Sequence, residues 1–246
     1  SLLSGQKGCS GMHDIHSAIL LAGGLGTRLR PLTLTTPKPL VPVQGRTLIE
    51  MNFDILRKFG ITDVTLCVGY LADTIKAYIG DGSRFGLRVS YCVEHEPLGT
   101  GGAIAQVRRP QGTTLVMNSD NLYDIDLNDV YNKHKASGAL VTDMLTQIED
   151  PTKSGVVRLE GEKIIEFVEK PKLEDAPSRL INAGYYLFEP SVWDHLPKGK
   201  CSLEKDVFPL LARDRKMNAF IGTGQWFPTD TPELLAQVNN KWVPVR

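Results

Sequence analysis

The first half of the chain alternates short apolar runs with amphipathic stretches. Residues 18–22 are apolar throughout and predict a buried strand, which breaks at Gly23, Gly24 and Gly26. Residues 47–59 place Leu48, Met51, Ile55 and Phe59 near helical spacing, with Gly60 as a stop. Residues 64–69 predict a strand, 71–79 a helix ended by Gly80, and 87–94 a strand. A glycine-rich turn over 97–102 leads into a short helix at 103–107, and a further strand at 113–117 delivers Asn118, Ser119, Asp120 and Asn121. Four strands alternating with helices predict a parallel sheet covered on both faces. Ligands of such sheets bind at the carboxyl ends of strands, so the Gly23 loop, the Gly99 turn and Asp120 should face one crevice.

The second half reads differently. A helix over 126–137 with Gly138 as its stop is followed by strands at 139–146, 155–159, 163–169 and 180–188, with a hairpin turn at Glu160-Gly161-Glu162. Ser202 is placed to cap a helix through Ala212, a short strand follows at 219–222, and Thr231-Pro232 opens a final helix to about Trp242. The expected architecture is α/β. It has a mixed, mainly parallel sheet with helices on both faces, as one domain over 17–246 whose second half is strand-rich. Residues 1–16 are polar and glycine-rich and are read as a flexible N-terminal segment or a remnant of expression, with Met12 as a candidate native start.

Composition narrows the function. The 28 Lys and Arg residues equal the 28 Asp and Glu residues, which argues against a nucleic-acid or anionic-membrane surface as the main partner. No apolar run approaches the roughly 20 residues that span a bilayer. Cys9, Cys67, Cys92 and Cys201 are widely spaced and form no Cys-x-x-Cys, which reads as reduced packing residues in a cytoplasmic protein. The five histidines show no metal-ligand spacing, and no Ser-His-Asp or Cys-His arrangement is present.

The chemistry concentrates at the first loop. Glycines directly after a strand expose backbone N–H groups, and Arg28, Arg30 and Lys38 follow closely, which makes a place for phosphate. The run is not a P-loop, which needs Gly-x-x-x-x-Gly-Lys-Ser/Thr, and it lacks the third glycine of the dinucleotide fingerprint. The continuation Thr27-Arg28-Leu29-Arg30-Pro31-Leu32-Thr33 and Pro37-Lys38-Pro39-Leu40-Val41-Pro42-Val43 resembles the sugar-1-phosphate nucleotidylyltransferases, whose signature is LAGGxGTRLxPLT followed by PKPxxPV. That resemblance implies a Rossmann-like α/β fold and transfer of an NMP group from an NTP to a sugar 1-phosphate with Mg²⁺, giving an NDP-sugar and pyrophosphate.

Residue by residue, Gly23, Gly24, Gly26 and Thr27 match the family's triphosphate loop. Arg28 matches the arginine on the β- and γ-phosphates, and Lys38 the lysine near the α-phosphate. Glu96, Pro97, Gly99 and Thr100 fall in a segment resembling the base-recognition turn EPLGTxGA. Asp120 matches a metal-binding aspartate, although Ser119 replaces the usual preceding glycine. Gly155, Glu169, Lys170 and Asn182 match sugar and sugar-phosphate contacts. For the second metal carboxylate, Pro228 stands where the common W-x-D-x-G-T pattern has Asp. Trp226-Phe227-Pro228-Thr229-Asp230-Thr231 resembles a W-x-P-x-D-T variant instead, which makes Asp230 the ligand.

Residues 97–104 look most like heptose- and mannose-1-phosphate guanylyltransferases, while the Trp226 segment leans toward cytidylyl members, so GTP is favoured as donor. The alternatives are a non-catalytic NDP-sugar-binding regulatory subunit, or a cytidylyl- or uridylyltransferase acting on another phosphate acceptor. The close of the chain after its final helix carries the expectation that the C-terminal β-helix of longer relatives is missing. Homodimerisation stays open.

Overall fold

The computed structural model describes residues 14–244. The expectations for Met12, for Cys9 and for a flexible start over 1–13 lie outside the described residues. The expectation of flexibility extends to residue 16 and fails at its end, where Ile15 is buried in the core and the His16 carbonyl accepts the Asp63 N–H at 3.4 Å. Strand β1 (Ser17–Leu21) leads into the glycine loop, and a two-residue hairpin, β2 (Pro42–Val43) and β3 (Arg46–Thr47), precedes α1 (Leu48–Lys58). Thr47 caps α1 in a reciprocal box with Glu50, whose carboxylate accepts the Thr47 backbone N–H at 2.7 Å. Next come β4 (Asp63–Val68), α2 (Ala72–Ile79), β5 (Arg88–Val93), α3 (Gly99–Gln106), β6 (Thr114–Asn118), β7 (Asn121–Tyr123) and α4 (Leu127–Ser137). The second half contributes β8 (Val141–Gln147), β9 (Gly155–Glu160), β10 (Lys163–Glu169), β11 (Leu180–Phe188), α5 (Phe208–Arg213), β12 (Met217–Ile221), β13 (Trp226–Pro228) and α6 (Pro232–Lys241).

Nine strands form one mixed sheet in the order β5-β4-β1-β6-β11-β8-β12-β10-β9. The first-half strands β5, β4, β1 and β6 run parallel. Strand β11 enters antiparallel between β6 and β8, which joins the two halves in one sheet. Beyond it β8 and β12 are parallel, while β10 is antiparallel to both β12 and β9. Pleat alternation sends neighbouring residues to opposite cores. Leu20, Leu66, Met117 and Tyr185 enter one, and Ile19, Cys67, Val116 and Tyr186 the other. Asp143 is buried in β8 with neither carboxyl oxygen hydrogen-bonded, and burial, with the nearby Glu204, pushes its carboxyl well above the usual range.

Several elements differ from the sequence expectation. Helix α3 starts at Gly99 instead of following the glycines. Its first turn docks on residues 199–201, where Gly101 and Gly102 donate to the Cys201 carbonyl at 2.9 and 3.1 Å. A Cβ at Gly99 would stand 2.6 Å from that same oxygen, and Gly99 has φ +75°. Tertiary contact thus offsets the poor helix propensity of glycine. The expected helix after Ser202 begins as a π-helical turn, Leu203–Val207, before α5, because Pro209 has no N–H to continue a regular ladder. Finally β7 and β13, each three residues long, pair antiparallel with Pro228 opposite Asn121, a pairing too short and too remote in sequence to read.

The second core is anchored by Phe208, fully buried, with ring centroids 5.3 Å from Phe167 and 5.2 Å from Tyr186. Phe208→Ala should cost about 3–5 kcal/mol of folding free energy through the cavity it leaves. Urea unfolding measures this, and an unchanged midpoint would refute the assigned packing.

Candidate functional site

The glycine loop leaves the carboxyl end of β1 and folds back on itself. Gly26 adopts φ +59°, a left-handed conformation, and Thr33 Oγ1 donates to its carbonyl at 2.7 Å. A Cβ there would lie 3.0 Å from Thr33 Cγ2, so the tight turn needs glycine. Gly24 has open space around it, and Thr27 and Arg28 are exposed. A short 3₁₀ turn, Lys38–Leu40, then carries Lys38 inward until only 8% of it is exposed.

There the Lys38 ammonium donates to Asp120 Oδ2 at 2.8 Å and to Asp230 Oδ1 at 2.7 Å. Arg28 reaches the same Asp230 oxygen at 3.0 Å. Burial works against the lysine's charge, but the two carboxylates outweigh it and raise the ammonium's pKa above its ordinary 10.5.

The aspartates are brought together by backbone. Ser119 pins the end of β6 to β1 by donating Oγ and N–H to the Leu21 carbonyl. Thr229, at the end of β13, donates its N–H at 3.1 Å and its Oγ1 at 2.8 Å to the Asp120 carbonyl. Trp226 Nε1 ties the same strand to the Ala183 carbonyl at 3.0 Å. Asp230 therefore follows directly on a residue bonded to Asp120.

Two cavities meet at Asp120. The smaller, 310 Å³, is lined by Gly23, Gly24, Cys67, Glu94, Pro97, Gly99 and Thr100, among others. The larger, 1060 Å³, holds Arg28, Asp230, Gly155, Glu169, Lys170 and Asn182 in its wall. Gly99, Thr100, Asn118 and Asp120 line both. Lys38 is buried behind the carboxylates and lines neither, and Gly26 and Thr27 belong to the loop outside both linings. Glu96 is exposed and lines neither cavity, whereas Glu94, two residues earlier, does line the smaller one.

Glu94 Oε1 accepts the Leu98 N–H at 3.1 Å, and Oε2 lies so near Gly23 that a Cβ there would be 2.4 Å away. Burial raises its carboxyl pKa, opposed by the Leu98 hydrogen bond. Glu94 and Glu96 share one strand parity, so alternation in the sequence does not tell them apart.

On the larger cavity's far wall, Lys170 has φ +49°, a costly conformation for a residue with a Cβ. Its N–H bonds to Ser154 O, and its ammonium lies 3.2 Å from Glu169 Oε1. Gly155 cannot carry a side chain, since a Cβ would fall 2.4 Å from Phe167 Cζ. Asn182 closes a bulge in β11, with Oδ1 accepting the Gly184 N–H and Nδ2 donating to Tyr186 OH, both at 2.6 Å. Asn118, Asn121, Gly184 and Trp226 are lining residues that motif reading did not select as ligands.

A family model described as nucleotidyl transferase matches residues 17–243. The chain belongs to the nucleotidyl transferase family. Members of this family generally use a divalent metal. The chain is 39% identical over 222 residues to a mannose-1-phosphate guanylyltransferase of Mycobacterium tuberculosis (strain ATCC 25618 / H37Rv), covering 88% of this chain and 61% of that one. It is 38% identical over 223 residues to a mannose-1-phosphate guanyltransferase beta-B of Xenopus laevis, with the same coverage of 88% and 61%. The chain thus spans about three fifths of the length of these relatives. Among solved structures it superposes on a UDP-glucose pyrophosphorylase complexed with UDP-glucose. The TM-score is 0.80 at 21% identity, covering 92% of this chain and 97% of that one, which supports the fold alone. Among the described residues, no helix is long and apolar enough to cross a membrane.

Removing the Lys38 charge leaves two half-exposed carboxylates facing each other. Lys38→Met should lower stability by about 1–3 kcal/mol, less than for a fully buried pair because water screens the aspartates. The lysine's folded-state pKa is raised, so its contribution is complete below pH 10.5 and is lost as pH rises through the higher folded value. Thermal melts of both proteins from pH 7 to 11.5 should show the gap closing only at the alkaline end. A gap that closes near neutrality would contradict the ion-pair assignment.

Proposed function

We propose that this chain transfers an NMP group from an NTP, GTP in preference, to mannose 1-phosphate or a closely similar sugar 1-phosphate, releasing pyrophosphate. The observation that carries the reading is Asp120 at the junction of a small and a large cavity, facing Asp230 across the Lys38 ammonium. A nucleotide in the smaller cavity and a sugar phosphate in the larger would meet at that point. An oxygen of the sugar phosphate attacks the α-phosphorus in line, the bond to the bridging oxygen breaks, and pyrophosphate leaves. The attacking oxygen is already anionic, so no protein nucleophile is required.

Each residue then has a defined task. Gly23, Gly24, Gly26 and Thr27 offer backbone and hydroxyl donors to the triphosphate. Arg28 balances the charge that builds on the departing pyrophosphate, and Lys38, from behind, holds Asp120 and Asp230 in place at the meeting point of the two cavities. Pro97, Gly99 and Thr100 border the base. Lys170 is directed at the acceptor phosphate, while Glu169, Asn182 and the bare backbone at Gly155 receive the sugar hydroxyls.

Asp120 and Asp230 fit a Mg²⁺ ion. They already share one cation at 2.8 and 2.7 Å, and an all-oxygen donor set completed by phosphate oxygens suits that metal. When bound there, Mg²⁺ would supply charge neutralisation across the two phosphates.

Guanine is supported by Glu94. Its carboxylate stands in the smaller cavity beside Gly23. The Watson–Crick edge of guanine, with N1–H beside an amino group, presents two adjacent donors, which a carboxylate accepts side by side. The names of the two relatives support mannose as the sugar. The free thiols Cys67, Cys92 and Cys201 support a cytoplasmic setting.

Pyrophosphate release measured with GTP, CTP, UTP, dTTP and ATP against mannose, glucose and heptose 1-phosphates tests the assignment. GTP with mannose 1-phosphate should exceed every other nucleotide by at least tenfold. A CTP maximum would move the chain to the cytidylyl class, and GTP binding without turnover would make it a sensor. Asp120→Asn should lower turnover by about a thousandfold with an unchanged circular dichroism spectrum. Wild-type turnover in that variant, or in excess EDTA, would overturn the metal assignment.

A further inference from the structure

Cys67 and Cys92 face each other across β4 and β5 as an in-register pair on neighbouring parallel strands. In-register residues of parallel strands point to the same face, and both side chains pack in the second core beneath α3. Strand spacing of about 4.8 Å falls inside the Cα separation that a disulfide accepts. Each thiol also touches α3. Cys67 Sγ lies 3.9 Å from the Ala103 carbonyl, and Cys92 Sγ lies 3.6 Å from Gln106 Oε1. Cys67 is fully buried from bulk solvent yet lines the smaller cavity, while Cys92 sits half-exposed on the edge strand.

We propose that Cys67 and Cys92 are a reversible oxidation site, forming a cross-strand disulfide that acts on the smaller cavity. The Cys92 thiolate attacks a hydroperoxide oxygen. The O–O bond breaks, hydroxide leaves and a sulfenic acid remains. Cys67 then attacks that sulfur, the S–O bond breaks, and its proton leaves with the hydroxyl as water. In sum, two thiols and one hydrogen peroxide give one disulfide and two waters, and a dithiol reductant reverses the change.

The geometry makes Cys92 the attacking group, since it is the one reached from outside. The chemistry agrees: interaction with the Cys67 thiol lowers the Cys92 pKa to about 7, while interaction with Cys92 and then burial push the Cys67 thiol well up. Bond formation draws the Cys67 side chain out of the cavity wall. It also removes both thiol donors from α3, whose first turn carries Gly99 and Thr100. The Cys67 carbonyl meanwhile holds the Ala22 N–H at 2.8 Å, just before the glycine loop. The strain of the new bond therefore reaches both sides of that cavity.

The covalent change is independent of the enzyme assignment; the functional effect rests on the smaller cavity holding the nucleotide. The full chain is treated with hydrogen peroxide at pH 7.5, alkylated, digested and mapped by mass spectrometry. The expected product is one cross-linked peptide pair joining Cys67 to Cys92, 2 Da lighter than the reduced pair and restored by dithiothreitol. Its formation should speed up several-fold from pH 6 to pH 8. A different pairing, or both thiols still alkylated after treatment, would overturn the site. The oxidised chain should show KM for GTP raised at least threefold with KM for the sugar phosphate unchanged, and Cys92→Ser should be insensitive to peroxide. Equal kinetics of the oxidised and reduced chains, or equal inhibition of Cys92→Ser, would overturn the effect on the cavity. If the disulfide forms and no NTP is turned over in either state, the oxidation site stands while the proposed enzyme activity fails.

Discussion

One buried ammonium organises the site. Lys38 lies 82 residues from Asp120 and 192 from Asp230 in sequence, yet bonds to both. Two carboxylates this close repel unless a cation stands between them, and a lysine this deeply buried loses its charge unless anions hold it. Each half of the arrangement therefore needs the other. The supporting backbone follows from that need: β6 pinned to β1 through Ser119, β13 stitched to the Asp120 carbonyl through Thr229, and Lys38 fixed between two prolines that limit its loop.

The sheet divides the work around that centre. Parallel strands β5, β4, β1 and β6 end on the same side, which gathers the glycine loop, Glu94 and Asp120 around the smaller cavity. Antiparallel β11, crossing between β6 and β8, brings Asn182 and Gly184 to Asp120 from the opposite direction. Close packing at the seam depends on missing side chains. At Gly184, φ +81°, a Cβ would sit 2.4 Å from Asn121 Nδ2, so the bulge and the asparagine could not both persist. The same economy operates where α3 lies on the Cys201 backbone. Lys170 takes the opposite course and holds a left-handed conformation despite its side chain, a strain of about 1–3 kcal/mol that the larger cavity wall must offset.

Most of the architecture is legible from pattern because strands, helices and their order follow local periodicity. The strand-end placement of the glycine loop, the Gly99 turn and Asp120 follows from alternation alone. Local pattern fails where a distant segment changes the balance. Helix α3 begins four residues earlier than its glycines suggest because residues 199–201 supply hydrogen-bond partners. The β7–β13 pair is invisible since three residues carry no period. Glu94 escapes notice because the family-like segment begins two residues later, at Glu96, while the fold turns the earlier carboxylate inward.

Chemical inventory and spacing are properties of the chain itself: glycines after a strand, a lysine between prolines, and aspartates at strand ends are readable because each lies in a short contiguous run. Whether Asp230 stands beside Asp120, which of two neighbouring glutamates enters the cavity, and that Cys67 meets Cys92 are decided only by tertiary structure. Each depends on register between strands remote in sequence, and register is set by the packing of the whole sheet instead of by any local stretch.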